Sequence, residues 1–377
     1  MSTEIPVARP DLGGNEEKYV VDALRTSWIS STGPYLNRFE KEFAELCGVR
    51  SAIAVSNGTV ALHLALIALN VRPGDEVIVP SLTYIATANA VRYVGAEPVF
   101  VDVTPDTWCL DPQKIEEAIT PRTKGIIAVH LYGHPADMDA INHIAGVNGL
   151  WVLEDAAEAP LATYKDRPTG SLAPIATFSF YGNKILTCGE GGALTLSDPA
   201  LDLRARTLRS QGMDPKRRYY FPVTGYNFRL TNVACALLCA QLERREQLLQ
   251  RRRQIYSLYR DHLKGVPGVG FQPAASWATI SPWLFSMTVE PEASGVSRDQ
   301  LIAKLAERGI ETRPFFIPLH TLPPFREGAR QRGENLPLTM KLAGRGLNLP
   351  TYSTMTDAQV ERVCAEVRHI IGGPSHR

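Results

Sequence analysis

Lys184 ends the segment Thr177-Phe178-Ser179-Phe180-Tyr181-Gly182-Asn183-Lys184, and the turn Gly189-Glu190-Gly191-Gly192 follows closely. A short apolar run, a serine pointing off it and an amine beside a tight turn make the arrangement that a lysine Schiff base to pyridoxal phosphate needs. A lysine is most often a solvated surface residue. A chemical role therefore requires that the rest of the chain supply a seat for the phosphate and a partner for the ring nitrogen.

Ser56-Asn57-Gly58-Thr59 joins a strand-like run to an amphipathic helical one. Such a junction offers free backbone N–H groups and the positive end of a helix to a phosphate, and glycine lets the anion come close. The plainer reading is an Asn-Gly turn with Thr59 as a helix cap. Neither a G-x-G-x-x-G nor a P-loop occurs in the chain, so no nucleotide-binding pattern competes for this role. In Trp151-Val152-Leu153-Glu154-Asp155-Ala156-Ala157-Glu158, carboxylates sit just past an apolar strand. Ligands of open α/β sheets gather at the carboxyl ends of strands. An aspartate there, Asp155, can keep a pyridine nitrogen protonated, which makes the ring an electron sink; taken alone it would read as a helix N-cap or a member of a structural ion pair. The three sites run in the order phosphate cradle, carboxylate, serine then lysine, each at the end of an expected strand. Their joint occurrence carries the signal.

The elements that must position them follow from hydrophobic periodicity. Between about residues 50 and 200, short apolar runs alternate with helical patterns, as in a mostly parallel α/β sheet. Strands are expected at Ala52 to Val55, Glu76 to Val79, Pro98 to Val103, Gly125 to Leu131, Leu150 to Leu153, Ala176 to Phe180 and Ala193 to Leu196. Helices are expected at Thr59 to Leu69, Ile85 to Val94, Pro112 to Ile119 and Met138 to Asn148. Strands apolar throughout imply helices on both faces. Thr231 to Tyr259 reads as one long helix, with Arg251-Arg252-Arg253 as a solvated face. Two strand-like runs, Trp283 to Val289 and Ile310 to Phe316, and a helix over Asp357 to Ile371 complete a smaller α+β region. Two domains are expected for 377 residues: 1–240, a large cofactor-binding α/β domain, and 241–377, a small C-terminal α+β domain.

Composition narrows the partners. With 44% hydrophobic and 21% charged residues the chain has ordinary globular usage, and its net charge of +1 gives no electrostatic case for nucleic acid or an anionic membrane. No apolar stretch approaches the roughly 20 residues that span a bilayer, and Met1 to Pro10 lacks the apolar core of a signal peptide. The six cysteines have no CxxC spacing, which suits a reducing cytoplasm and argues against a disulfide framework or a zinc site.

These residues bring a resemblance with them. Trp28-Ile29-Ser30-Ser31-Thr32-Gly33, Asn57-Gly58-Thr59, Pro80-Ser81-Leu82-Thr83-Tyr84, His130-Leu131-Tyr132-Gly133, Glu154 to Glu158, Phe178 to Gly192 and Gly225-Tyr226-Asn227-Phe228-Arg229 resemble the DegT/DnrJ/EryC/StrS sugar aminotransferases across nearly the whole chain. These are pyridoxal phosphate enzymes of fold type I. Tyr181-Gly182-Asn183-Lys184 and Gln211-Gly212-Met213-Asp214-Pro215 are most similar to the GDP-perosamine synthase subgroup.

The resemblance implies roles at matching positions. Lys184 would carry the cofactor and shuttle the proton, and Asp155 would pair with the ring nitrogen. Tyr84 would stack on the ring. Gly58, Thr59 and Ser179 would hold the phosphate, with Asn227 reaching it from a neighbouring subunit. Glu158 stands where many relatives carry glutamine near the ring hydroxyl, so it would need a proton or another partner, because facing anions repel. His320 would contact the sugar. Apart from the resemblance, the loop Asp214 to Tyr220, with Arg218 and Tyr220, is basic and aromatic, which suits the diphosphate and base of a nucleotide sugar in the site of the adjacent subunit. The implied reaction moves the amino group of L-glutamate onto GDP-4-keto-6-deoxymannose, in a homodimer with shared active sites. A 3-keto isomer of the mycosamine type and a UDP- or dTDP-linked keto sugar stand beside it, as do two other classes, a sugar dehydratase and a non-catalytic sugar sensor. In the related dehydratases the lysine position carries histidine, so Lys184 speaks for transfer. A sensor should have lost Lys184 or Asp155.

Overall fold

Seven short runs rich in Val, Ile and Ala form the central sheet of the computed structural model, which describes residues 4–372. The strands are β1 (Ser51–Val55), β2 (Glu76–Pro80), β3 (Glu97–Val101), β4 (Thr123–Val129) and β5 (Trp151–Asp155), then, after a small hairpin formed by β6 (Thr163–Tyr164) and β7 (Arg167–Pro168), β8 (Ile175–Ser179) and β9 (Gly192–Leu196). All seven expected strands are present, with ends shifted by a residue or two. Their order is β1-β9-β8-β5-β4-β2-β3. Every pairing from β8 through β5, β4 and β2 to β3 is parallel, and β9 alone runs against its neighbours. β1, β2 and β9 are buried along their whole length, as expected of strands covered on both faces. Ile53, Val77, Val79, Leu153 and Leu194 pack on one side with the helix Gly58–Ala68, while Ile78, Ile126, Ala128 and Val152 pack on the other with Met138–Val147. Each buried aliphatic side chain of this kind contributes roughly 1.5–3 kcal/mol, so the strand ends that carry the site are held by a dry core.

A second sheet is built from β10 (Val269–Phe271), β12 (Phe285–Val289), β13 (Arg313–Pro314) and β14 (Gly346–Leu349) in the antiparallel order β10-β12-β14-β13. It packs with the helices Arg245–Leu263 and Asp357–Ile371 around Phe285, Met287, Leu347 and Val363, and Ile5 joins that core. β11 (Ala278–Thr279) pairs with β6 beside the central sheet. Residues 1–3 of the Met1 to Pro10 segment, and 373–377 at the end of the expected small domain, lie outside the described residues.

Three expectations are corrected. The long helix is two, Asn232–Glu243 and Arg245–Leu263, with Arg244 between them at φ −105°, ψ 6°. The Arg244 guanidinium is held by Asp11 at 3.0 Å, and the break lets the first helix pack on Glu16–Arg25 and Pro34–Cys47 while the second covers the small sheet. The run Ile310 to Phe316 forms a strand only at Arg313–Pro314, because Ile310 bridges to Ile5 instead. The arginine run is a solvated face only at Arg253. Arg252 is only 2% exposed and donates to the carbonyls of Trp283 (2.6 Å) and Thr351 (3.1 Å). Arg251 donates to the Met355 carbonyl and to Asp357.

Candidate active site

The carboxyl ends of β5 and β8 and the start of the helix Gly58–Ala68 open onto one cavity of about 820 Å³. Gly58, Thr59, Tyr84, Asp155, Glu158, Ser179 and Lys184 all line it. Seven of the expected site residues, spread over more than a hundred positions of sequence, are thus brought together.

At the helix start, Asn57 rather than Thr59 is the cap, its side-chain oxygen accepting from the Val60 N–H at 2.9 Å. That leaves the earlier N–H groups of the turn directed outward, the usual anion-binding geometry of a helix N-terminus. Gly58 is required by close approach. A Cβ there would come within 2.8 Å of Ser179 Cβ and 3.2 Å of its hydroxyl oxygen. Among the described residues the Ser179 hydroxyl receives only a long contact, 3.4 Å, from the Tyr181 N–H, which leaves its own proton available to a ligand. Helix N–H groups, a glycine and a serine hydroxyl facing one another fit a phosphate.

Asp155 ends β5. Its Oδ2 accepts from the Thr87 hydroxyl at 2.8 Å and its Oδ1 from the Ala157 N–H at 3.2 Å. It neither heads a helix nor joins an ion pair among the described residues, so both plainer readings fall away. Burial raises its carboxyl above the ordinary aspartate range, and the Thr87 and Ala157 donors oppose that rise. Glu158 Oε2 accepts from the Tyr132 N–H at 2.8 Å. Burial pushes the Glu158 carboxyl up to about 7, against the pull of the Lys184 charge and the Tyr132 N–H. Burial acts on Lys184 in the other direction, lowering its amine below the usual range despite the carboxylates of Glu158 and Asp155, and Arg313 adds to the lowering. Two carboxyl groups and an amine share one cavity, where shifted proton affinities accompany acid–base work.

Beneath the site His130 and Glu154 are fully buried. The Ala136 N–H donates to His130 Nδ1 at 3.1 Å, so His130 donates through Nε2 to Glu154 at 3.1 Å. Glu154 also accepts from the N–H groups of Gly170, Leu172 and Ala173. This network fixes the floor under β5 and takes no part in the lining.

Four expected residues do not line the cavity of the single chain. Asn227 accepts from Arg229 Nε at 2.9 Å. Arg218 stacks on Tyr219 and Arg217 on Tyr220, with centroid distances of 4.9 and 4.6 Å, on an exposed loop. His320 sits half-buried beside β2. Ser81 Oγ accepts from the His320 N–H at 3.1 Å and shares a hydrogen bond with the ring Nδ1 at 2.7 Å.

The structure also supplies lining residues that sequence reasoning missed: Thr87, Glu190, Trp283, Arg313 and Phe316. Thr87 follows Tyr84 by one helical turn, a spacing that could have marked it. Trp283, Arg313 and Phe316 arrive from the second sheet and its approaches, and no local pattern ties them to the lysine. The Phe316 ring lies 5.9 Å from that of Tyr84, across the mouth of the cavity.

Comparison with known proteins agrees with this geometry. The family model described as the DegT/DnrJ/EryC1/StrS aminotransferase family matches residues 10–368. The chain is 48% identical to the GDP-perosamine synthase of Caulobacter vibrioides over 97% of its own length and 98% of that protein. It is 42% identical to the GDP-perosamine synthase of Escherichia coli O157:H7, over 96% and 97%. Among solved structures, S. venezuelae DesV in complex with a ketimine intermediate superposes with a TM-score of 0.90 at 37% identity, covering 97% of this chain and 98% of that one.

Proposed function

The chain belongs to the DegT/DnrJ/EryC1/StrS aminotransferase family and is a pyridoxal phosphate enzyme, and from that premise we propose that it moves the amino group of L-glutamate onto the C4 ketone of GDP-4-keto-6-deoxymannose, giving GDP-perosamine. One observation carries the choice of sugar: the full-length likeness to two GDP-perosamine synthases.

When bound, the cofactor condenses with primary amines and spreads the charge that develops on the attached carbon into its ring. Lys184 would hold its carbonyl carbon, Asp155 its ring nitrogen and Glu158 its ring hydroxyl. Gly58, Thr59 and Ser179 would hold the phosphate, and Tyr84 would cover the ring face. Lys184 Nζ, when free, is the base that takes the α-proton of L-glutamate and later delivers a proton to C4 of the sugar. Only a neutral amine can take that proton, and burial favours the neutral form. The two donors on the Asp155 oxygens oppose the rise that burial imposes, favouring the charged form that a ring nitrogen would need. Glu158, with burial holding its proton to about pH 7, can face an anionic oxygen as a donor rather than a second anion.

We assign a homodimer in which Asn227, Arg218 and Tyr220 complete the partner's cavity. Their placement away from their own cavity supports this, as does the exposed apolar surface at Trp28, Ile29, Tyr219 and Phe221. Six unpaired cysteines suit a reducing cytoplasm.

The test is glutamate-dependent turnover against GDP-, UDP- and dTDP-linked keto sugars, with the new amine located by NMR. The reading expects the GDP-linked 4-ketone to be aminated at C4 in clear preference to the others. Preference for a UDP- or dTDP-linked sugar, or an amine at C3, overturns it.

A further inference from the structure

Trp283 comes from the segment that leads into β12, a hundred residues after the lysine, yet it makes two contacts at the reacting group. Its indole Nε1–H donates to the carbonyl of Asn183, the residue before Lys184, at 3.0 Å. Its ring face lies under the lysine amine, with Nζ 3.8 Å from the ring centroid. The tryptophan is itself fixed. It is 5% exposed, the buried Arg252 donates to its carbonyl at 2.6 Å, and its ring stacks beside that of Tyr132 at 6.4 Å. Just upstream, the Ser281 N–H donates to the Gly133 carbonyl at 3.0 Å.

We propose that Trp283 is a positioning residue for Lys184: its indole N–H pins the backbone that carries the lysine, and its ring face is the resting place of the amine whenever the amine is not joined to the cofactor. The proposal rests on Lys184 being the cofactor-bearing lysine.

The physical argument concerns what a freed amine meets in this cavity. To work in both directions the amine must hold a proton between its removal from one carbon and its delivery to another. Burial disfavours the ammonium form. Asp155 at the end of β5 and Glu158 just beyond it favour that form, whereas Arg313 on β13 opposes it. An aromatic face in van der Waals contact stabilises an ammonium by cation–π attraction without adding a carboxylate that could take the proton away. It also holds the flexible side chain in one orientation, so less rotamer freedom is lost at each encounter with substrate. The N–H to Asn183 acts separately, on the height of the Lys184 backbone above the cavity floor.

Two variants divide these effects. Trp283→Phe keeps a ring face and removes the N–H; Trp283→Leu removes both. The full-length protein is loaded with pyridoxamine 5′-phosphate, which leaves Lys184 free, and acetylation of Lys184 by acetic anhydride is followed by peptide mass spectrometry as a function of pH. The midpoint is expected to fall by about one pH unit in Trp283→Leu and to stay near wild type in Trp283→Phe. Both variants are expected to release pyridoxal phosphate several-fold faster than wild type, which Trp283→Phe reports even if the leucine variant folds poorly. An unmoved midpoint in a folded Trp283→Leu, or unchanged cofactor release in Trp283→Phe, overturns the role of Trp283. Borohydride reduction of the pyridoxal phosphate-loaded wild type serves as the control. Label on Lys184 keeps the site reading intact under either outcome, whereas label on another lysine removes the site reading and the proposal together.

Discussion

The Thr87 hydroxyl donates to Asp155 Oδ2 across 2.8 Å, joining the helix Ala86–Tyr93 to the end of β5 at the carboxylate proposed to meet the ring nitrogen. The bond opposes the rise that burial imposes on Asp155. Thr87→Val keeps the shape and removes the donor, so Asp155 should hold its proton to higher pH. A hydrogen bond to a charged group is worth about 1.5–3 kcal/mol, so kcat at neutral pH should drop on the order of tenfold and the acid limb of the pH–rate profile should move upward. Thr87→Ser should restore both. A Thr87→Val profile that overlays wild type would remove the role.

Gly58 faces Ser179 so closely that a methyl group has no room. In Gly58→Ala either the turn or the serine must move, and the proposed phosphate seat moves with it. Pyridoxal phosphate affinity, measured by equilibrium dialysis, should weaken on the order of tenfold or more, about 1.4 kcal/mol. The melting temperature of the cofactor-free protein should change far less.

Glu158 makes a prediction about stability. Its carboxyl is raised from 4.5 to about 7 in the folded cofactor-free chain by burial. Between those values the folded state binds the proton and the unfolded state does not. The stabilisation is therefore fully present below about pH 4.5 and is lost as pH rises through about 7. Thermal unfolding of cofactor-free wild type and Glu158→Gln across pH 4.5 to 8 should diverge, with the wild type losing ground to the variant as pH rises. Parallel curves would contradict the assignment.

Arg218 bears on the assembly. If its loop completes the neighbouring cavity, Arg218→Ala should raise KM for the nucleotide sugar by about 10- to 100-fold, the loss of one hydrogen bond between charged groups. KM for L-glutamate should change little. Equal effects on both substrates, or none, would remove the loop from the sugar site.

Much of this was legible in the sequence, for definable reasons. Each of the seven central strands is a short apolar run between turn residues, and Asp155, Ser179 and Gly58 stand at strand ends or at a strand–helix turn, where local pattern and site coincide. Lys184 could be placed because its neighbours announce it. The break at Arg244 was not legible, because the Asp11 carboxylate that holds its guanidinium lies more than two hundred residues away in the sequence. Arg252 looked like part of a charged face, since nothing local reveals that two carbonyls from elsewhere in the fold receive its guanidinium. Trp283 and Arg313 escaped for the same reason: their closeness to Lys184 exists only after the second sheet has packed.

The most direct test of the account is the fate of nitrogen. With 15N-labelled L-glutamate and GDP-4-keto-6-deoxymannose, the wild-type protein should yield a GDP-sugar bearing 15N on C4, detected by 15N–1H correlation NMR, and Lys184→Ala should yield none above background. Label on C4 formed equally well by Lys184→Ala, or no labelled sugar from the cofactor-loaded wild type, would contradict it.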